Sequence, residues 1–160
     1  MPDRTATPTH PLHELVLERT FDTPPELVYR CWTEPELLKR WFTPAPWSTS
    51  HAKLDVRPGG TSLIVMKDPE GNEHPNPGVY LEVVPNRKIV FTDAYVNAWT
   101  PAENPFFTGV ITFEPNGAGT KYTARALHWT KEMRDKHEQM GFHEGWGAAA
   151  KQLEELLRTL

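Results

Sequence analysis

The feature that most constrains the fold is a run of strand-like segments followed by one long helix-like segment. Between Ala52 and His128, six segments have strand-like patterns and are separated by short turns rich in Pro, Gly and Asn. From Thr130 to Leu160, apolar residues recur at spacings of three, four and seven, which predicts one continuous helix. Strands joined by short turns pair antiparallel. The sequence therefore predicts an α+β fold in which a curved antiparallel sheet surrounds a long C-terminal helix.

The residues before this run predict one further strand and two short helices. Glu14–Phe21 alternates apolar and polar residues, which indicates a strand. Thr23-Pro24-Pro25-Glu26 has the form of a capping box with proline at the first helical position, and Thr33-Glu34-Pro35-Glu36 repeats the capping-box form. These motifs predict two helices with threonine N-caps. The sheet is therefore expected to have about seven strands, with both short helices between strands one and two.

Length and charge limit the classes of function. The 160 residues carry a formal net charge of −4 and show no basic stripe, which argues against nucleic-acid binding. No apolar run approaches the roughly 18 residues that a membrane span needs, and the N-terminus has no apolar signal-peptide core. We expect a disordered tail at residues 1–12 and a single cytoplasmic domain, monomeric or homodimeric, at residues 13–160.

The single cysteine and the seven histidines do not indicate reactive or metal chemistry. Cys31 excludes an internal disulfide, and its apolar helical surroundings predict a buried, inert thiol. His137 and His143 are six residues apart, so on one helix they lie about 120° from each other and do not share a face. Neither HExxH nor CxxC occurs. We expect no metal and no cofactor, and we interpret His128 as a hydrogen-bonded histidine at a cavity mouth.

One carboxylate has an orientation that the sequence leaves open. Glu82 shares a strand face with Tyr80 and Val84. If that face is the inner one, Glu82 points into the core side of the sheet with a raised pKa. If the alternate residues of this strand point inward instead, Glu82 is an exposed surface charge.

The last two predicted strands indicate a cavity between the sheet and the helix. Their inward positions include small residues, Gly109, Ala124 and Ala126, which leave volume for either the helix or a ligand to fill. Aromatic residues near the predicted ends of elements are compatible with a core and with ligand contacts. The candidate ligand-binding residues are Trp41, Phe42, Ile64, Met66, Tyr80, Glu82, Phe107, Ile111, Tyr122, Ala124, His128, Phe142, Trp146 and Ala150.

A series of short motifs runs through the chain from about Leu15 to Leu160. They are Arg19-Thr20-Phe21, Pro24-Pro25-Glu26-Leu27-Val28-Tyr29, Trp32-Thr33-Glu34-Pro35-Glu36-Leu37, Trp41-Phe42, Asp55-Val56-Arg57-Pro58-Gly59-Gly60, Gly78-Val79-Tyr80-Leu81-Glu82-Val83-Val84-Pro85, Arg87-Lys88-Ile89-Val90-Phe91-Thr92, Gly119-Thr120 and Gly145-Trp146. Their order and spacing resemble the START-like (SRPBCC, helix-grip) superfamily, and within it the branch named after the activator of heat-shock protein 90 ATPase. The resemblance implies a helix-grip fold with a hydrophobic cavity.

Three functions follow as hypotheses from this resemblance. The leading one is non-catalytic binding of a small hydrophobic ligand in the cavity. The second is a co-chaperone-like interaction module, although the eukaryotic co-chaperone engages its chaperone with a separate N-terminal domain for which this chain has no room. The third is an enzyme of the cyclase or hydrolase kind, which requires a cavity-facing acid or base such as Glu82 or His128.

Overall fold

In the part of the chain that the structure describes, seven strands and four helices follow one another in an order that matches the sequence pattern closely. The computed structural model describes residues 13–160, so the tail expected at residues 1–12 lies outside the described residues. The elements are β1 (Glu14–Phe21), α1 (Pro25–Thr33), α2 (Pro35–Leu38), β2 (Ser48–Leu54), β3 (Thr61–Lys67), β4 (Glu73–Val84), β5 (Lys88–Thr92), β6 (Thr108–Asn116), β7 (Gly119–Leu127), α3 (Lys131–Gln139) and α4 (Phe142–Leu157).

All seven strands form one antiparallel sheet in the order β1-β7-β6-β5-β4-β3-β2. β1 pairs along its whole length with β7, so that Leu15 lies opposite Ala126 and Leu17 lies opposite Ala124. β1 and β2 are therefore the two edges of the sheet, and α1 and α2 carry the chain from one edge to the other. The α+β helix-grip prediction is confirmed.

The core lies between the inner face of the sheet and the apolar side of α4. Ile111 and Phe113 of β6 are fully buried, as is Leu153 of α4. α1 packs against both β6 and α4, and it buries Cys31 in the same cluster. Alternate residues of β6 and β7 face the helix, so the inner face predicted for these strands from their period-two pattern is confirmed.

The predicted single C-terminal helix is wrong, because the chain breaks into α3 and α4 at Gly141. This glycine has φ 96° and ψ 41°, in the left-handed region that other residues rarely adopt. Its N–H donates to the carbonyl of Glu138, and its own carbonyl accepts from the N–H of Gly145 at 2.7 Å. Gly141 thus terminates α3 in the manner of a helix C-cap and also begins α4.

The predicted threonine N-caps are also wrong. Pro24 and Glu34 occupy the N-cap positions of α1 and α2, and neither helix has a side-chain cap. The hydroxyl of Thr33 donates instead to the carbonyl of Tyr29, within α1. The carbonyl of Thr23 accepts a 2.6 Å hydrogen bond from the Thr120 hydroxyl, which ties the start of α1 to β7.

β4 begins at Glu73, although the prolines at 75 and 77 argue against a strand there. Residues 73–77 pair with β3, whereas pairing of β4 with β5 begins at Val79 opposite Thr92. A proline is tolerated on the unpaired side of a strand because no ladder hydrogen bond is lost there. The first half of β4 consequently extends beyond β5 and leaves one side of the sheet open.

Candidate functional site

A pocket of about 430 Å³ lies between the open side of the sheet and the α3–α4 junction. It opens to solvent, whereas the sequence predicts an internal cavity. We call it the sheet–helix pocket and define it by its lining residues. These are Trp32, Trp41, Phe42, Pro44, Ser62, Ile64, Met66, Asn76, Pro77, Gly78, Val79, Phe91, Thr92, Asp93, Phe107, Tyr122, His137, Met140, Gly141, Phe142, Gly145, Trp146 and Ala149.

The structure brings eight of the fourteen candidate ligand-binding residues together in the lining. They are Trp41, Phe42, Ile64, Met66, Phe107, Tyr122, Phe142 and Trp146. Tyr80, Ile111, Ala124 and Ala150 are not among the lining residues, although each is buried in the core. The period-two and helical patterns identify the inner face, but they do not distinguish residues that touch the helix from residues that face empty space.

Glu82 is outside the sheet–helix pocket and is an exposed surface charge, the second of its two predicted orientations. A bulge between Tyr80 and Glu82 interrupts the pairing of β4 with β5. Because the bulge inserts one residue, both Leu81 and Glu82 are exposed, while Tyr80 and Val83 pack on the core. The Glu82 carboxylate forms an ion pair with Lys88 on the outer face, with 3.2 Å between Oε2 and Nζ.

His128 is buried, but it lies behind the pocket and does not line it. Its Nδ1 is 2.7 Å from the carbonyl oxygen of His13, and its Nε2 is 2.8 Å from Nδ1 of His137. The interpretation as a hydrogen-bonded histidine agrees with these contacts. His128 is not among the residues that line the pocket. The enzymatic hypothesis named Glu82 and His128, and neither residue lines the pocket.

His137 is the pocket residue that the sequence analysis missed most clearly. It is 8% exposed and sits among the rings of Phe106, Phe107, Phe142 and Trp146, with centroids 4.8 to 6.5 Å from its own. Burial lowers the pKa of His137 from its ordinary value of 6.5 to about 4. The imidazole is therefore neutral near pH 7.

Two further pocket residues were detectable from sequence. Gly145 and Ala149 lie three and seven positions after Phe142, so all three share one side of α4. A β-carbon added to Gly145 would meet no atom within 4 Å. Gly145 therefore faces open space in the pocket. Gly147, by contrast, lies against the Arg19 guanidinium, which a β-carbon would approach to 3.2 Å.

An aromatic wall closes the inner end of the pocket. Trp32 Nε1 donates to the Tyr122 hydroxyl at 3.2 Å, and the Trp32 ring packs edge-on against Trp41 with centroids 5.2 Å apart. Burial raises the pKa of Tyr122, which keeps this phenol neutral. Gln152 of α4 donates to the carbonyl of Trp41 at 2.8 Å, so the helix holds this wall in place.

Asp93 supplies a carboxylate at the rim of the pocket. Its Oδ1 accepts hydrogen bonds from the backbone N–H groups of Phe106 and Phe107, at 2.8 and 3.2 Å. Burial raises its pKa, and these two bonds oppose that shift. The primary effect of Asp93 is to anchor the end of the β5–β6 loop beside the pocket.

Neither a metal site nor a membrane span emerges from the described part of the chain. Within residues 13–160, no three His, Cys, Asp or Glu side chains are grouped so as to hold a metal ion. None of the described helices combines the length and the apolar character that crossing a bilayer requires.

Cys31 should react slowly with thiol reagents. Burial raises the pKa of its thiol to about 11, and the thiolate is the reactive form. At pH 8 we expect modification by a disulfide reagent to be at least roughly 100-fold slower in the native protein than in the same protein unfolded in urea. Equal rates in the two states would contradict the burial of this residue.

Comparisons with known proteins agree with this geometry. A protein of Nitrosomonas europaea is 50% identical, and its crystal structure superimposes with a TM-score of 0.88 over 91% of this chain and 94% of that one. Structures from Rhodobacter sphaeroides (20% identity, TM-score 0.82, 94% and 95% covered) and Mycobacterium smegmatis (24%, 0.77, 91% of each) share the fold. No curated protein sequence matches significantly.

A family model, described as activator of Hsp90 ATPase homolog 1-like protein, matches residues 22–158. The match includes both short helices, all strands after β1, and α3 and α4. The resemblance seen in the sequence motifs is thus confirmed over most of the chain, which belongs to the family of activator of Hsp90 ATPase homolog 1-like proteins.

Proposed function

We propose that this protein binds a small, mainly apolar ligand in the sheet–helix pocket without transforming it. The observation that carries the proposal is the pocket itself, with a volume of about 430 Å³ and a wall built largely from Trp, Phe, Ile and Met side chains. Pockets of roughly 300–1,000 Å³ with apolar and aromatic walls are typical of small-molecule sites. Transfer of an apolar ligand from water onto these rings is favourable in proportion to the area buried.

The polar groups of the pocket are few and suit orientation of a ligand better than chemistry. Thr92 accepts a hydrogen bond from the Ala94 N–H and one from the Thr108 hydroxyl, so its oxygen is engaged by neighbours. The Oδ1 of Asp93 is engaged by the loop backbone. Tyr122 accepts from Trp32 and retains its own hydroxyl proton. Such isolated groups fix the position of a ligand in an otherwise apolar site.

Gly145 gives a direct test of the pocket. Its Gly145→Leu variant places an isobutyl group in the open space, and Gly145→Ala is the matched control with a single methyl. Replacing glycine by alanine in a helix interior stabilises the helix by about 0.5–1 kcal/mol, and leucine is also a good helix former, so both variants are expected to fold. We expect leucine to weaken binding of 1-methylnaphthalene at least about 10-fold relative to alanine, because it fills volume that the ligand needs.

Two measurements decide the proposal. Native mass spectrometry of gently purified protein is expected to show a co-purifying small molecule in Gly145→Ala and less of it in Gly145→Leu. Calorimetric titration of 1-methylnaphthalene is expected to give the same order. The proposal is rejected if the wild type neither carries a small molecule nor binds this probe, or if the two variants bind equally.

A second candidate function is favoured by one exposed segment. The loop between β5 and β6 exposes Tyr95, Val96 and Trp99, and Trp99 is 79% exposed. Exposed apolar patches frequently mark protein-interaction sites. We propose, as the alternative, a co-chaperone-like contact with Hsp90 through this loop. It predicts that the protein changes the ATPase rate of the chaperone and that Trp99→Ala removes the effect. An unchanged rate at micromolar concentrations would end this alternative.

A further inference from the structure

We propose that Nε2 of His137 is a built-in hydrogen-bond acceptor of the sheet–helix pocket, selecting apolar ligands that carry a hydroxyl or N–H donor. This inference rests on the proposed ligand-binding function and deepens it, because it names the chemical class of the ligand. It is carried by a chain of two hydrogen bonds that leads from the backbone to the pocket.

The chain begins at the carbonyl oxygen of His13, which can only accept. His128 Nδ1 lies 2.7 Å from this oxygen and must carry a proton to bond with it. A neutral His128 then has its lone pair on Nε2, which lies 2.8 Å from Nδ1 of His137. His137 Nδ1 must therefore carry the proton that this bond needs. In a neutral His137 the lone pair is consequently on Nε2.

The position of His137 directs this lone pair to the pocket. The two nitrogens of an imidazole point in diverging directions, and Nδ1 is directed toward His128, which is not a lining residue. His137 itself lines the pocket, and only 8% of its surface is exposed. Among the described residues, Nε2 of His137 has no side-chain hydrogen-bond partner. Since no fully buried side-chain nitrogen or oxygen in this part of the chain lacks a partner, Nε2 retains some exposure. Because the ring lines the pocket and its Nδ1 is bonded to His128, we infer that Nε2 faces the pocket.

The surroundings keep this acceptor neutral. The rings of Phe106, Phe107, Phe142 and Trp146 cover most of the imidazole, and this burial holds its pKa near 4. When a bound ligand offers no donor to this unprotonated acceptor, the unsatisfied acceptor makes the binding free energy less favourable. Such a site discriminates strongly between a ligand with a donor and an isosteric ligand without one.

The experiment compares two probes of similar shape, 1-naphthol with a hydroxyl donor and 1-methylnaphthalene without one. The measured quantity is the ratio of their dissociation constants, obtained by calorimetry. His137→Asn keeps a donor near the position of Nδ1 and removes the acceptor at Nε2. His137→Gln places an amide oxygen near the position of Nε2. We expect the preference for 1-naphthol to fall about fivefold in His137→Asn and to be largely kept in His137→Gln. His51→Asn, the same substitution at an exposed histidine outside the pocket lining, is expected to leave the ratio unchanged.

A measurement on the wild type avoids dependence on folding of the variants. The imidazole ¹⁵N spectrum is expected to show a protonated Nδ1 and an unprotonated Nε2 at His137, and the Nε2 signal is expected to move upfield with 1-naphthol only. The inference is overturned if the opposite tautomer is found, if both probes move the signal equally, or if His137→Asn leaves the ratio unchanged. If neither probe binds the wild type, the proposed function fails as well, so the two failures are distinguishable.

Discussion

Replacing Phe113 with alanine is expected to lower the free energy of unfolding by about 3–5 kcal/mol, the usual range for a large aromatic residue in a core. The Phe113 ring is fully buried at the centre of β6. It packs edge-on against Tyr29 of α1 with centroids 5.7 Å apart, and it lies 6.2 Å from the ring of Tyr122. Truncation would remove contacts with both layers and leave a void that the sheet cannot close.

Phe113→Leu is the matched control, because leucine fills most of the same volume and should cost less than about 1.5 kcal/mol. Urea unfolding followed by tryptophan fluorescence gives both values. Since small domains are stable by only about 5–15 kcal/mol, the alanine variant is expected to lose a large fraction of its stability. A loss below about 1.5 kcal/mol for alanine would mean that Phe113 is not a structural link between sheet and helix.

Much of this fold was predictable because local patterns determine it. β1 was predicted with its observed bounds, since Glu14–Phe21 alternates cleanly and only one side of it faces the core. The antiparallel order followed from short turns that leave no room for a crossover. The position of Cys31 in the core also followed, because it lies on the apolar side of an amphipathic helix.

The errors arose where a single residue changes the phase of a pattern. The bulge at Leu81 shifts the alternation of β4 by one residue. One predicted alternation therefore turns Glu82 inward and the other turns Leu81 inward, whereas both residues are exposed. Gly141 breaks the last helix, although the apolar spacing continues across it. A glycine inside a helical pattern signals either a tolerated interior residue or a cap, and only tertiary packing decides between them.

The polar part of the candidate site was not predictable, because its members are distant in sequence. His13 and His128 are 115 residues apart, and Asp93 bonds residues 13 and 14 positions away across an irregular loop. Apolar lining residues follow from periodicity, whereas a hydrogen-bond chain depends on which loop ends meet. His137 lies on a helix of mainly charged residues, and no spacing rule singles it out.

The buried histidine pair is expected to make stability fall as the pH drops from about 6.5 to about 4. His137 has a pKa of about 4 in the folded protein, against an ordinary value of 6.5 that applies when the chain is unfolded. Between these values the unfolded chain binds a proton that the folded protein does not, so acid favours unfolding. Above pH 6.5 this titration does not lower the free energy of unfolding. By pH 4 the loss is on the order of 2 to 3 kcal/mol. Burial lowers the pKa of His128 as well, which acts in the same direction.

Other groups titrate in or near this range, and the control must remove their effect. Burial raises the pKa of Asp93, so this carboxyl has the opposite sign and partly offsets the loss as the pH falls. Asp68 and Glu34 have lowered pKa values, so their contributions are lost mainly below pH 4.5. His137→Asn retains all three, together with a donor to His128, and lacks only the titrating imidazole. Unfolding free energies of both proteins, measured in urea from pH 7.5 to pH 4, should diverge by about 2 kcal/mol, with the wild type losing more. Parallel curves would show that His137 is not held neutral by its surroundings.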